Sequence, residues 1–171
     1  MDIIINDANI LIDLTHLNLV EEFVQLDLNL KTTDFVFAEL NADQQAIFNQ
    51  YIEDGKLEVI ITEDEGVLNS IAEILNKTTG LSFEDCSVWY YAEKLKGILL
   101  SGDGKLRRQA TASGISVKGI LFVFDQLLLA DLITLETAIE KIEMLYLKNT
   151  RLPIQPKEDR LISWTHRKHH N

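Results

Sequence analysis

The feature that most constrains this chain is an alternation: short apolar, β-branched runs, each followed by a longer segment with helical spacing. Ile3-Ile4-Ile5 precedes Ile10, Leu11, Ile12, Leu14 and Leu17, and Phe35-Val36-Phe37 precedes a segment with Ala46, Ile47, Tyr51 and Ile52 facing inward, closed by Gly55. Leu57 to Ile61 leads to Leu68, Ile71, Ala72 and Leu75, ending near Thr79-Gly80. Ser82-Phe83-Glu84-Asp85 then opens a helix carrying Val88, Trp89, Ala92 and Leu95, in which Ser82 can accept from the backbone N–H of Asp85. Ile98-Leu99-Leu100 precedes a helix from Lys105 to Ser113, and Ile115-Ser116-Val117 precedes one from Phe122 to Leu132. Strands too short to be helices, separated by helices long enough to cross over, predict a mostly parallel sheet covered on both faces. The expected class is α/β, with three layers in the order α/β/α.

No Ser/Gly/Pro-rich linker interrupts the chain before residue 150, and both prolines, Pro153 and Pro156, lie near the end. One domain is expected over 1–132. Residues 133–171 then add a helix from Thr134 to Leu147, capped by Thr134, and a basic tail with Arg160, His166, Arg167, Lys168, His169 and His170. The longest apolar runs, such as Ile120 to Phe124, fall far short of the roughly 20 residues of a bilayer crossing, so no membrane partner is expected. Met1-Asp2 opens no presequence, and a cytoplasmic location follows as the default. Cys86 is the single cysteine, which excludes a disulfide framework and a Cys-rich zinc site.

The net charge of −11 argues against a protein that holds nucleic acid by bulk positive charge. That charge is unevenly spread: residues 1–93 carry 19 acids and three lysines, whereas residues 94–171 carry 8 acids and 13 bases.

In a parallel sheet, ligands bind beyond the carboxyl ends of the strands. The polar residues expected there are acidic: Asp7 after the first strand, Glu39 after the second, Asp85 in the first turn of a helix, and Asp103 after Ile98–Leu100. Each also has an ordinary reading as a cap, a first-turn acid or a turn residue. Capping alone would be served as well by Ser, Thr or Asn, so acids at every position point to a counter-charge. Mg²⁺ or Mn²⁺ matches oxygen-only donors, and such ions can stabilise the attacking and leaving oxygens of a phosphodiester displacement.

These segments resemble the four acidic motifs of the PIN domain family, in order. They are Ile5-Asn6-Asp7-Ala8-Asn9, then Phe37-Ala38-Glu39-Leu40, then Phe83-Glu84-Asp85 with its Ala92-Glu93-Lys94 helix, then Leu99-Leu100-Ser101-Gly102-Asp103-Gly104-Lys105-Leu106. The stretch Gly114 to Leu121 leading into the Leu127–Leu132 helix is similar to the later part of VapC-like toxin nucleases. The resemblance implies a Mg²⁺- or Mn²⁺-dependent endoribonuclease, with an RNA substrate, in which cation-activated water attacks phosphorus and leaves a 5′-phosphate and a 3′-hydroxyl. It implies Asp7, Glu39, Asp85 and Asp103 as metal ligands, direct or through water, with Asn9 and Ser101 supporting Asp7 and Asp103. Glu84 is a neighbour able to replace Asp85, which fits the family register better. A cognate antitoxin would then be a partner, and the added C-terminal helix could make a homodimer. The chain departs from compact VapC-like toxins by extending through residues 134–171.

Lys105, Arg107 and Arg108 follow Asp103 and could bind phosphates flanking the cut, or be a solvated helix face. The histidines of the tail read as surface, Trp89, Tyr90 and Tyr91 as core and rim, and Cys86 as a small buried hydrophobe. Gly102-Asp103-Gly104-Lys105 lacks the spacing of a P-loop. Two other functions compete with the nuclease. One is a non-catalytic module of the same fold that binds RNA or protein. The other is an aspartyl phosphotransfer protein using Asp7, disfavoured because Asn9 stands where a second Asp would be needed.

Overall fold

The computed structural model describes residues 1–150 and 152–168, without the side chains of Arg167 and Lys168. Of the tail residues singled out above, His169 and His170 lie outside the described residues, as do the Arg167 and Lys168 side chains.

Five strands form one parallel sheet: β1 (Ile3–Asn6), β2 (Asn29–Thr33), β3 (Leu57–Ile60), β4 (Ile98–Leu100) and β5 (Val117–Lys118). Their order is β3-β2-β1-β4-β5. In the central strand, Ile4 lies opposite Leu30 on one side and Ile98 on the other, and Ile5 opposite Lys31 and Leu99. Ile4, Ile5, Leu99 and Leu100 are fully buried, which is why β1 and β4 read as unbroken apolar runs: a strand covered on both faces has no polar side. Each such side chain contributes roughly 1.5–3 kcal/mol by leaving water.

The connections supply the outer layers. Helices α1 (Ala8–Leu17), α2 (Val20–Phe23), α3 (Asp34–Ala38) and α4 (Ala42–Glu53) lie on the path β1-β2-β3, and α5 (Glu65–Lys77) and α6 (Phe83–Lys94) carry the chain back to β4. Helix α7 (Gly104–Ala112) then joins β4 to β5. Parallel crossovers are right-handed, so reversing the direction of travel along the sheet puts α5, α6 and α7 on the face opposite α1 and α4. Ile71, Val88, Trp89, Ala92, Leu106 and Ala110 pack with Ile5 and Leu99 on that face. The three-layer α/β/α architecture expected from the alternation is the one observed.

Three local expectations differ. Phe35-Val36-Phe37 is helix α3, and the second strand is the more polar Asn29-Leu30-Lys31-Thr32-Thr33 just before it. Its hydroxyls explain how a polar strand is buried: Thr32 Oγ1 donates to the Asn6 carbonyl, Thr33 caps α3, and Lys31 pairs with Glu58 on β3. Helix α4 buries Phe48, with Tyr51 and Ile52 half-buried on the neighbouring face; Ala46 and Ile47 are exposed, since the buried stripe is centred on the large ring of Phe48. The segment read as a tail contains α10 (Ile154–Lys168). Pro156 falls in its first turn, where a missing N–H costs nothing, so it is compatible with a helix start.

Contacts divide the chain into two compact units, one spanning Met1–Ile120 and one beginning at Leu121. The second unit holds most of α8 (Ile120–Leu129) together with α9 (Leu135–Lys148) and α10. Thr134 caps α9 by accepting from the Thr137 N–H, as its sequence suggests. Trp164 is buried against Phe124 and donates to Asp125, which also receives Arg160. No helix among the described residues is long and apolar enough to cross a membrane.

Candidate active site

The strand order reverses at β1, so a crevice opens beyond the carboxyl ends of β1 and β4. Asp7 stands at its floor. The residue directly follows β1, its N–H bonds to the Leu100 carbonyl, and it caps α1, with Oδ1 accepting from Ala8 N at 2.8 Å. Oδ2 accepts from Asn9 Nδ2 and from Ser101 Oγ, both at 2.6 Å. The carboxyl is therefore fixed in one orientation from three sides while only 3% exposed. Burial is the main reason its pKa is pushed up to about 6, with the nearby charge of Asp85 adding to it, while the hydrogen bonds from Ser101, Ala8 and Asn9 pull the other way.

Glu39 reaches the same crevice from the C-cap of α3, one short helix later than the strand end expected for it. Burial and the charges of Asp7, Glu84 and Asp85 raise its carboxyl to about 7. Asp85 is the third residue of α6, where Ser82 and Asp85 form a reciprocal capping box: Ser82 Oγ accepts from Asp85 N at 3.0 Å, and Asp85 Oδ2 from Ser82 N at 2.8 Å. Three elements thus bring Asp7, Glu39 and Asp85 within each other's field, with Glu84 as a fourth carboxylate. None of the ion pairs found among the described residues involves any of them.

Asp103 is tied in through hydrogen bonds. Its N–H donates to Ser101 Oγ at 3.0 Å, the same oxygen that donates to Asp7, and its own Oδ1 caps α7 by accepting from Lys105 N and Leu106 N. Asn9 also bridges the two strand ends, with Oδ1 accepting from Gly102 N at 2.6 Å. A side chain at Gly102 would begin 3.0 Å from that oxygen, so the close bridge favours glycine.

The three basic residues after Asp103 have different surroundings. Arg107 is half-buried and donates from Nη1 to the Ser101 carbonyl at 2.9 Å, and a methyl on Gly119 would meet that nitrogen at 2.9 Å. Desolvation lowers its pKa. Lys105 extends over Gly80 in the turn before α6, and Arg108 lies beside the Gly104 backbone; both residues are exposed.

The donor set suits a hard divalent cation in kind, since it is all carboxylate oxygen; Asp7 is buried, Asp85 half-buried, and Glu39 and Asp103 are exposed. In their present positions, no three His, Cys, Asp or Glu side chains among the described residues close around one point as a ready cage. Sequence reading passed over Thr33 and Ser87, two buried hydroxyls joining α3 to α6; a Thr or Ser is an unremarkable cap or core residue until its partner is known.

No curated protein matches the chain. Among solved structures it is similar to VapBC-1 from nontypeable Haemophilus influenzae, at 17% identity and a TM-score of 0.51, over 70% of this chain and 98% of that one. It is also similar to PAE2754 from Pyrobaculum aerophilum, at 17% identity and a TM-score of 0.50, over 72% of this chain and 95% of that one. At that identity the likeness is one of fold. A family model described as PIN domain matches residues 3–164, a span that includes all four acidic motifs, and the chain belongs to the PIN domain family.

Proposed function

We propose that the chain is a Mg²⁺- or Mn²⁺-dependent endoribonuclease. The observation that carries the reading is the buried Asp7 carboxyl, which has hydrogen-bond donors but no ion pair among the described residues and lies within the field of Glu39 and Asp85 at the strand-order reversal, a concentration of negative charge that asks for a cation. Asp7, Glu39 and Asp85 would hold it, with Asp103 joining directly or through water. Bound there, the cation supplies charge stabilisation for the phosphate oxygens and makes water a better nucleophile. Ser101 and Asn9 hold the Asp7 carboxylate in one orientation, so this one carboxylate is oriented before substrate arrives. Lys105 and Arg108, both exposed and following Asp103 in the chain, would meet phosphates flanking the cut.

The similarity of fold to VapBC-1, together with the VapC-like motifs, supports a role as a toxin held by a cognate antitoxin. A second reading, a non-catalytic module that binds RNA or protein, is favoured by one observation: Asp85 and Asp103 each spend a carboxylate oxygen on helix capping. The two are separated by incubating the full chain with single-stranded and structured RNA across a Mg²⁺ and Mn²⁺ series. The nuclease reading expects cleavage that disappears in Asp7→Asn and Asp85→Asn. RNA binding without turnover at every metal concentration supports the module, and cleavage that persists in both variants removes these carboxylates from the chemistry.

A further inference from the structure

Glu39 and the Glu84–Asp85 turn carry like charges on two short elements, α3 and the start of α6, so something must hold those elements together against repulsion. Two contacts do so. Phe35 and Phe83 meet edge to face, with ring centres 5.0 Å apart. Beneath them Thr33 Oγ1 and Ser87 Oγ lie 2.8 Å apart, both residues fully buried.

The direction of this second contact follows from counting protons. Ser87 Oγ donates to the Glu84 carbonyl at 2.6 Å, so its single proton is used. Thr33 must therefore donate to Ser87, leaving a lone pair on Thr33 to accept the Val36 N–H at 3.2 Å. The relay runs from Val36 N–H through Thr33 and Ser87 to the Glu84 carbonyl, with each hydroxyl both donating and accepting. One end starts the five-residue helix whose C-cap is Glu39; the other grips the backbone of the residue before Asp85.

We propose that Thr33 and Ser87 are positioning residues whose buried hydroxyl contact sets the spacing between Glu39 and the Glu84–Asp85 turn, and through that spacing the cation affinity of the site. The inference rests on the cation-dependent reading above. Residues that orient ligands without touching the metal typically alter affinity by about 10- to 100-fold when removed.

The test is Mn²⁺ titration calorimetry on the full chain as wild type, Thr33→Val, Thr33→Ser and Ser87→Ala, with unfolding curves alongside. Val keeps the shape of Thr without the hydroxyl; Ser keeps the hydroxyl without the methyl. Thr33→Val and Ser87→Ala should weaken Mn²⁺ binding by about 10- to 100-fold, and Thr33→Ser should stay within about threefold of wild type. A folded Thr33→Val that is less stable yet binds Mn²⁺ like wild type overturns the positioning role, as does Thr33→Ser failing as badly as Thr33→Val. Should Thr33→Val not fold, Ser87→Ala decides by the same criterion. A wild type that binds no Mn²⁺ overturns the cation reading and this inference with it, a result distinct from variants that all bind equally.

Discussion

Replacing Asp7 with Asn removes a charge that the metal-free fold holds at a cost, so the variant should become more stable than the wild type as pH rises. The magnitude follows from the carboxyl's shift from 3.8 to about 6. At about 1.4 kcal/mol per unit, ionising Asp7 inside the fold costs about 3 kcal/mol more than in the unfolded chain. Because the folded value is raised, this group's contribution is fully present below pH 3.8 and is lost as pH rises through 6. Asn carries no such dependence. It does replace one acceptor oxygen with an NH2 that would face either the Ala8 N–H or both Asn9 Nδ2 and Ser101 Oγ, a pH-independent cost of about 1–2 kcal/mol. Asp7→Asn should thus be less stable than wild type by about 1–2 kcal/mol at pH 4 and more stable by about the same amount at pH 8, with the order crossing near pH 5. Urea unfolding in EDTA, followed by fluorescence of the buried Trp89 in the same unit, measures this difference. The hydrogen-bond cost cancels between pH values, so the slope isolates the charge. A difference that stays constant from pH 4 to pH 8 would refute a desolvated, unpaired Asp7. Mn²⁺ at pH 8 should reverse the order by stabilising only the wild type.

Other consequences are simpler to measure. In metal-free protein the Glu39 carboxyl should titrate near 7 by side-chain ¹³C shifts, and Asp7→Asn should bring it down, since Asp7 is the largest of the charges acting on it. Gly119→Ala should displace the Arg107 guanidinium from the Ser101 carbonyl and cost about 1–2 kcal/mol in denaturant unfolding; an unchanged midpoint argues that Arg107 yields without loss. Phe48→Ala should cost about 3–5 kcal/mol by the same assay, as Phe48 is the fully buried side chain of α4. Asp125→Asn should weaken the Arg160 pair and the Trp164 hydrogen bond, seen as a red shift in Trp164 emission against a Trp89→Phe background.

The sheet was legible wherever a strand is covered on both faces by apolar side chains. Ile3-Ile4-Ile5 and Ile98-Leu99-Leu100 announce themselves because nothing polar could survive there unpaired. The second strand was misplaced because Thr32 and Thr33 are buried through hydrogen bonds, and pairing is a property of space that no single segment displays. The neighbouring Phe35-Val36-Phe37 has strand-like residues, but the Thr33 cap and Asp34 in the first turn start a helix there. In the candidate site, Asp7 and the Ser82–Asp85 box were readable because strand end and cap are local. The different settings of Lys105, Arg107 and Arg108 were not, since which of three adjacent bases turns inward depends on Gly119 and the Ser101 carbonyl.

The Ser101–Asp7 hydrogen bond joins residues 94 positions apart in the chain. During synthesis the first strand is therefore made long before the strand that completes its surroundings. A nascent chain ending before Ile98 has the Asp7 carboxylate but neither the Ser101 hydroxyl that orients it nor the β4 edge that encloses it. Closing so large a loop is entropically slow and must precede the contacts that reward it. The surroundings of Asp7 consequently mature only after Ser101 has been translated, a built-in delay of 94 residues between the appearance of Asp7 and the assembly of what encloses it.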